Sequence, residues 1–393
     1  MTIPELALAR LPWGAADPYP FYEGRRRAGD VVWDDTAQAW LVLGYHATRQ
    51  VLTGPQWTSD PRASMAAAGA SEFFNSTFVE ASMLFTDGPA HDRLRGAVRD
   101  VFGRAFVSRL TEGVESICHG TISTIPAQRT FDAMGQIALP LPIAVIGAWL
   151  GLDTDQCAAL REHSPTIIRI LGGFADREEL DQGIAAAAAL LTEMLPATAD
   201  RRTHPQDDLL SYIAADPTLT LDEVVITAIL IAVAGHETTA NLLGAGLVRL
   251  LTPDEAGSCP ADGIDPAAPT LVTELLRLDG PVQATARTAT VDQTLGGIDI
   301  SCGETVLACV AAANRDPAVY DDPDVFRPGR SGPAPLAFGH GAHYCLGAPL
   351  ARLETAAALR HILRRRPVLA SSPTWRDTPA IRGPATVPIR FSA

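Results

Sequence analysis

The sequence predicts a mainly α protein with a small β-rich lobe, and three observations predict it. Apolar residues recur at helical spacing from about residue 91 to residue 251. Within that span, Thr220 and Glu223 have the spacing of a capping box, and the pattern then continues without proline to Leu251, about 30 residues. Short strand-like pieces are confined to the two ends of the chain.

The elements follow in order. Val31–Trp33 and Trp40–Leu43 alternate like strands and are broken by Asp34, Asp35 and Gly44, so a small amino-terminal sheet is expected. Residues 91–109 place Leu94, Val98, Val101, Phe102 and Ala105 on one face beneath a row of arginines, which predicts a helix. The capped helix from Thr220 ends before Pro253. After residue 281 the pattern changes to strands punctuated by Gly296-Gly297 and Cys302-Gly303, with the run Val306–Val310, and then to a Pro/Asp/Arg-rich irregular stretch from Asn314 to Pro335. A last helix, about Ala348–Arg365, precedes a β-like carboxyl end.

The 393 residues are 47% hydrophobic with a net charge of -14, an acidic chain with a large core. No linker or repeat marks a boundary, so one domain over residues 1–393 is expected. The longest apolar runs, Ile184–Leu191 and Val224–Ala234, fall short of the roughly 18 to 20 residues of a bilayer span. Met1–Arg10 lacks the basic start and apolar block of a signal peptide. A cytoplasmic protein without a membrane span is therefore expected, and six cysteines without paired spacing fit reduced thiols. All 31 basic residues are arginines, which excludes a P-loop, a kinase-type lysine and an internal Schiff base to pyridoxal phosphate. The negative total disfavours a nucleic-acid partner.

Two segments carry chemistry. In Phe338-Gly-His-Gly-Ala-His-Tyr-Cys-Leu-Gly347, Cys345 stands at the mouth of a helix behind a glycine-rich loop, where Gly339, Gly341 and Gly347 allow close approach of the backbone. Free amides and the helix dipole would stabilise a thiolate there. The residues alone also fit a buried cysteine at a helix start, or zinc held by His340, His343 and Cys345, although zinc needs a fourth ligand. In the long helix, Ala234-Gly-His-Glu-Thr-Thr239 interrupts an apolar run. Gly235 costs about 1 kcal/mol against alanine in a helix interior, so the helix needs room there. Glu237 and Thr238 either lie on a solvated face or are a buried carboxylate and hydroxyl with a function.

The order Phe-Gly-x-Gly-x-His-x-Cys-x-Gly, followed by Leu350-Ala351-Arg352, resembles the haem-binding signature of the cytochrome P450 family at every defining position. The resemblance spans about residues 17 to 391 and continues through Ala313-Asn-Arg-Asp-Pro317. It implies the triangular P450 fold, with haem b between the long helix and the cysteine loop. It makes Cys345 the thiolate ligand of the iron, with Phe338 beside the sulfur, Gly347 in the loop and His343 reaching a propionate. His91, Arg95 and Arg287 resemble further propionate contacts, a role for which arginine supplies paired donors. Glu237 and Thr238 match the acid-alcohol pair that guides protons during O–O cleavage, with His236 and Thr239 in support. Glu274 and Arg277, alone a surface pair, match the family's Glu-x-x-Arg motif, completed by Arg330.

The implied activity is insertion of one oxygen atom from O2 into a hydrophobic small molecule, by hydroxylation or epoxidation, in secondary metabolism. Electrons would come from a ferredoxin and an NAD(P)H-dependent ferredoxin reductase. Peroxide-driven oxidation, coupling or rearrangement, and haem or ligand binding without turnover, are the alternatives. Candidate pocket walls are Met65–Leu84, Ile167–Phe174, Ile229–Val233, Val282–Ala286 and Thr378–Ile381. Residues 91–109 carry five arginines against two aspartates and residues 350–366 five against one glutamate, leaving -21 for the rest of the chain. These basic islands are the expected docking face for an acidic ferredoxin.

Overall fold

A computed structural model describes residues 17–64, 77–171, 177–377 and 381–392. Helices dominate the middle of the chain, and strands gather from both ends. The 31-residue helix Leu221–Leu251 starts at the expected capping box, with the Thr220 side chain accepting from the Glu223 amide and the Glu223 side chain from the Thr220 amide. It packs against the helices Pro140–Leu150, Thr154–Leu171, Arg177–Thr203 and Ala348–Arg364, and so is apolar nearly all round. Its length and composition match a membrane span, but 78% of its most apolar stretch is buried inside the fold, which identifies a core helix.

The amino-terminal strands do not form a sheet of their own. Val31–Asp34 pairs antiparallel with Ala39–Val42, which then pairs parallel with Thr305–Ala308; that strand pairs with Thr285–Ala289, and Trp57–Thr58 closes the order. A parallel neighbour requires a long crossover, here more than 260 residues, so local alternation could not reveal it. The Gly296-Gly297 pair forms the tight turn between Gln293–Leu295 and Ile298–Ile300, both glycines having positive φ (58° and 82°). A strand at Thr130–Asp132, unexpected in the helical middle, pairs with Pro388–Phe391.

The helix expected over 91–109 is broken. Gly88–Arg99 is helical, the chain then turns with the Gly103 amide bonded to the Asp100 carbonyl, and a single turn resumes at Arg104–Val107. Gly103 is extended, with ψ of 149°, which ends the helical run while leaving the apolar spacing on either side intact.

Glu274 and Arg277, expected on their own to be a surface pair, are buried on the helix Pro269–Asp279. Both Arg277 nitrogens that face Glu274 donate to it at 2.8 and 2.9 Å, and Arg330 Nε lies at 3.2 Å from the same carboxylate. Arg277 and Arg330 also donate to carbonyls of residues 314–325, so the triad fastens the irregular stretch leading to the cysteine loop.

Candidate active site

The cysteine loop is shaped by its own backbone. The Cys345 amide donates to the Phe338 carbonyl at 2.8 Å, and the Tyr344 amide to that of Gly341. Gly341 has φ of 74°, and a Cβ there would stand 2.6 Å from the Leu52 carbonyl oxygen, so this position needs glycine. Ala348–Arg364 begins directly after Gly347, with proline in its first turn. Burial pushes the Cys345 thiol up, while the nearby backbone amides of Gly347 and Ala348 and the charge of Arg95 favour the thiolate. A Cβ on Gly347 would meet nothing within 4 Å, so the protein itself leaves that space open. Phe338 is half-buried, with the Arg352 guanidinium 5.1 Å from its ring centre. Among the described residues no three His, Cys, Asp or Glu groups are placed to hold a metal, so His340 does not join His343 and Cys345 in a zinc site.

The four cationic or imidazole groups expected at the propionates gather beside this loop. His91 is buried, with Nδ1 3.5 Å from an Asp92 oxygen and Nε2 without a partner, and burial, then His343 and Arg95, lower its pKa against the raising effect of Asp92. Its ring lies 4.4 Å from that of His343. Arg95 donates to the Tyr344 carbonyl at 2.5 Å. Arg287 donates only to Thr285 Oγ1 and the Ala286 carbonyl, and its pKa is pushed down to about 10 by burial, against the raising effect of Asp87. His343 is the exception in kind, for its Nε2 is bound to Asp87 at 2.8 Å. A half-buried arginine with no carboxylate in contact, a buried histidine whose Nε2 has no partner, a cysteine at a helix mouth and open space over Gly347 together fit a haem with two propionates.

On the long helix, burial is continuous from Val224 to Leu247 except at Ala234, Gly235 and Thr238, which share one face. A Cβ on Gly235 would meet only Ile146, at 4.0 Å, so the room inferred for this glycine is open space. The Thr238 hydroxyl donates to the Ala234 carbonyl at 2.6 Å. Glu237 is buried, which removes the solvated-face alternative for it. Its Oε2 accepts from Arg376 at 3.0 Å and from Asn241 at 3.4 Å, whereas Oε1 has no hydrogen-bond partner. His236 is buried beside it, with Nδ1 3.7 Å from Oε1, and Thr239 is buried too. A cavity of about 330 Å³ opens against Glu237, Asn241, Arg376 and Ile381.

Asp87, Asn241 and Arg376 escaped the sequence reading. Asp87 could have been marked as a helix-capping aspartate, but Arg376 lies 139 residues from the carboxylate it holds and carries no local signal. Of the candidate pocket walls, Ile229–Val233 and Ile167, Ile168 and Ile170 are buried, and Ala284 and Ile381 are too. Residues 65–76, 172–174 and 378–380 of those walls lie outside the described residues, as does the amino-terminal segment read for a signal peptide. The basic islands are thinner than their count suggests. Arg93 is paired with Glu223, Arg360 with Glu115, and Arg365 with the carbonyls of Ile122 and Ile125, while Arg99, Arg104, Arg109, Arg364 and Arg366 are exposed.

Residues 266–374 match the family model for cytochrome P450. The chain is 36% identical over 397 residues to the cytochrome P450 monooxygenase PikC of Streptomyces venezuelae, covering 96% of this chain and 92% of that one. It is 33% identical over 372 residues to the 6-deoxyerythronolide B hydroxylase of Saccharopolyspora erythraea, covering 90% of each. Its fold superposes on ligand-free CYP164A2 of Mycobacterium smegmatis with a TM-score of 0.86 at 31% identity, over 98% of this chain and 99% of that one.

Proposed function

The chain belongs to the cytochrome P450 family, and from that premise we propose that it inserts one oxygen atom from O2 into a hydrophobic small molecule of secondary metabolism, by hydroxylation or epoxidation. It is a haem b oxidoreductase, and its relatives include monooxygenases and hydroxylases by name. The observation that carries the reading is the pairing of Cys345, at the mouth of the Ala348–Arg364 helix behind a glycine-shaped loop, with an open notch at Gly235 and Thr238 on the long helix that packs against it. When bound, the haem supplies the iron at which O2 is activated, and a thiolate ligand donates electron density that favours O–O cleavage.

Cys345 is the iron ligand in this reading, with Phe338 and Gly347 lining the sulfur side. His91, Arg95 and Arg287 hold the propionates, since two carboxylates taken out of water need charge-assisted donors, both arginines lack a carboxylate hydrogen-bond partner and His91 Nε2 has no partner at all. Glu237 presents its unpartnered Oε1 as the acid-pair oxygen through which protons pass, and Thr238, already bonded to Ala234, fixes the hydrogen-bond geometry in the notch. Buried Ile229, Ile231 and Ile168 exclude water and suit an apolar substrate. Electrons come from an acidic ferredoxin, served by an NAD(P)H-dependent reductase, at the exposed Arg99, Arg104, Arg109, Arg364 and Arg366; the Arg104–Val107 turn packs against Ala348–Arg364.

The test is the absorption of the reduced carbon monoxide complex. A thiolate-ligated iron gives a strongly red-shifted band, expected for the native protein and lost in Cys345→Ser. A histidine-type spectrum in the native protein would overturn the assignment of Cys345. Product formed with O2 and NAD(P)H through a ferredoxin, rather than with peroxide alone, separates monooxygenation from peroxide-driven oxidation.

A further inference from the structure

Asp87 occupies the N-cap position of Gly88–Arg99 in extended conformation, where an aspartate ordinarily accepts from the first free amides, yet it makes no side-chain bond to that helix. Its carboxylate is turned to two other segments. Oδ1 holds His343 Nε2 at 2.8 Å, and Oδ2 accepts from the Thr58 hydroxyl at 2.5 Å and the Ser59 amide at 2.8 Å.

Two of the three joined segments carry part of the pocket, and the third braces a strand that does. The helix bears His91 and Arg95, the loop bears His343 and Cys345, and the Trp57–Thr58 strand pairs with the strand bearing Arg287. A carboxylate repels propionates, so Asp87 serves this pocket only by holding its other members in place. It does so through His343, whose ring is thereby laid against the ring of His91. Burial works against the ionised carboxyl, but the bonds from His343, Thr58 and Ser59 outweigh it and keep the pKa far below the ordinary range.

We propose that Asp87 is a positioning residue for haem retention, a latch that ties the cysteine loop, through His343, to the Thr58–Ser59 strand end and so closes the propionate edge of the pocket. The proposal rests on Cys345 being the haem ligand.

The experiment is the rate of haem transfer from the ferric holoprotein to excess apomyoglobin, for the native protein, Asp87→Ala, His343→Ala and the double variant. Loss of one charge-assisted hydrogen bond is expected to speed transfer on the order of tenfold in each single variant. Because the two residues act as one unit, the double variant is expected to lose haem no faster than the quicker single one. A merely structural aspartate would instead give multiplying effects. Thr58→Val, which cuts only the strand side, is expected to speed transfer by a smaller factor, and Asp87→Asn, isosteric and able to fold where alanine fails, by a few-fold. Native transfer rates in both Asp87 variants, or rates that multiply in the double variant, overturn the latch. A native protein without the thiolate-type carbon monoxide band overturns the haem ligand instead, and so the two failures are distinguishable.

Discussion

Changing Glu274 to glutamine keeps the side-chain shape and removes one charge from a buried triad. Arg277 and Arg330 are then two buried guanidinium groups without their anion, and breaking a buried pair in this way costs about 3 to 5 kcal/mol. The structure argues for the lower end. Arg277 still donates to the carbonyls of Asn314, Pro323 and Val325 at 2.6 to 3.2 Å, so its charge keeps three dipoles. About 3 kcal/mol is a large part of the 5 to 15 kcal/mol by which a protein is stable, and corresponds to more than a hundredfold in the folding equilibrium. Urea unfolding at pH 7 measures it, provided the slope with denaturant is unchanged.

The pH dependence gives a second reading of the same side chain. Burial raises the pKa of Glu274, but the bonds from Arg277, the Arg327 amide and Arg330 outweigh it, and the folded carboxyl titrates below its ordinary value. A depressed carboxyl contributes stability in full above the unfolded pKa of about 4.3, and that contribution is lost as pH falls through the lower folded value. The gap between the native protein and Glu274→Gln is therefore expected to shrink in the acid range and stay constant above pH 5 to 6. A loss under 1 kcal/mol at pH 7, or a gap that widens on acidification, would refute the argument.

Two further predictions concern the chemistry. Thr238→Ala is expected to keep haem and substrate binding while diverting reducing equivalents to hydrogen peroxide, measured as product formed per NAD(P)H; full coupling would remove the hydroxyl from the proton path. Arg99→Glu and Arg104→Glu are expected to slow haem reduction by an acidic ferredoxin without changing substrate affinity, and the native rate to fall as salt rises, since both side chains are exposed; unchanged rates and a salt-independent reaction would exclude that docking face.

What the sequence determined by itself was local. The capping box at Thr220, the glycines around the loop and Cys345 at a helix mouth are each set by backbone geometry within a few residues, and each stands where its pattern placed it. The break at Gly103 was missed because apolar spacing continues across it, and spacing reports a buried face rather than the continuity of a helix. Tertiary structure alone decided which distant groups meet: the parallel pairing of Ala39–Val42 with Thr305–Ala308, the Arg376 that holds Glu237, and the Asp87 that leaves its own helix for His343. The physical reason is that a buried charge takes whatever partner the packing brings within about 3 Å, and that partner's position along the chain leaves no periodicity to read.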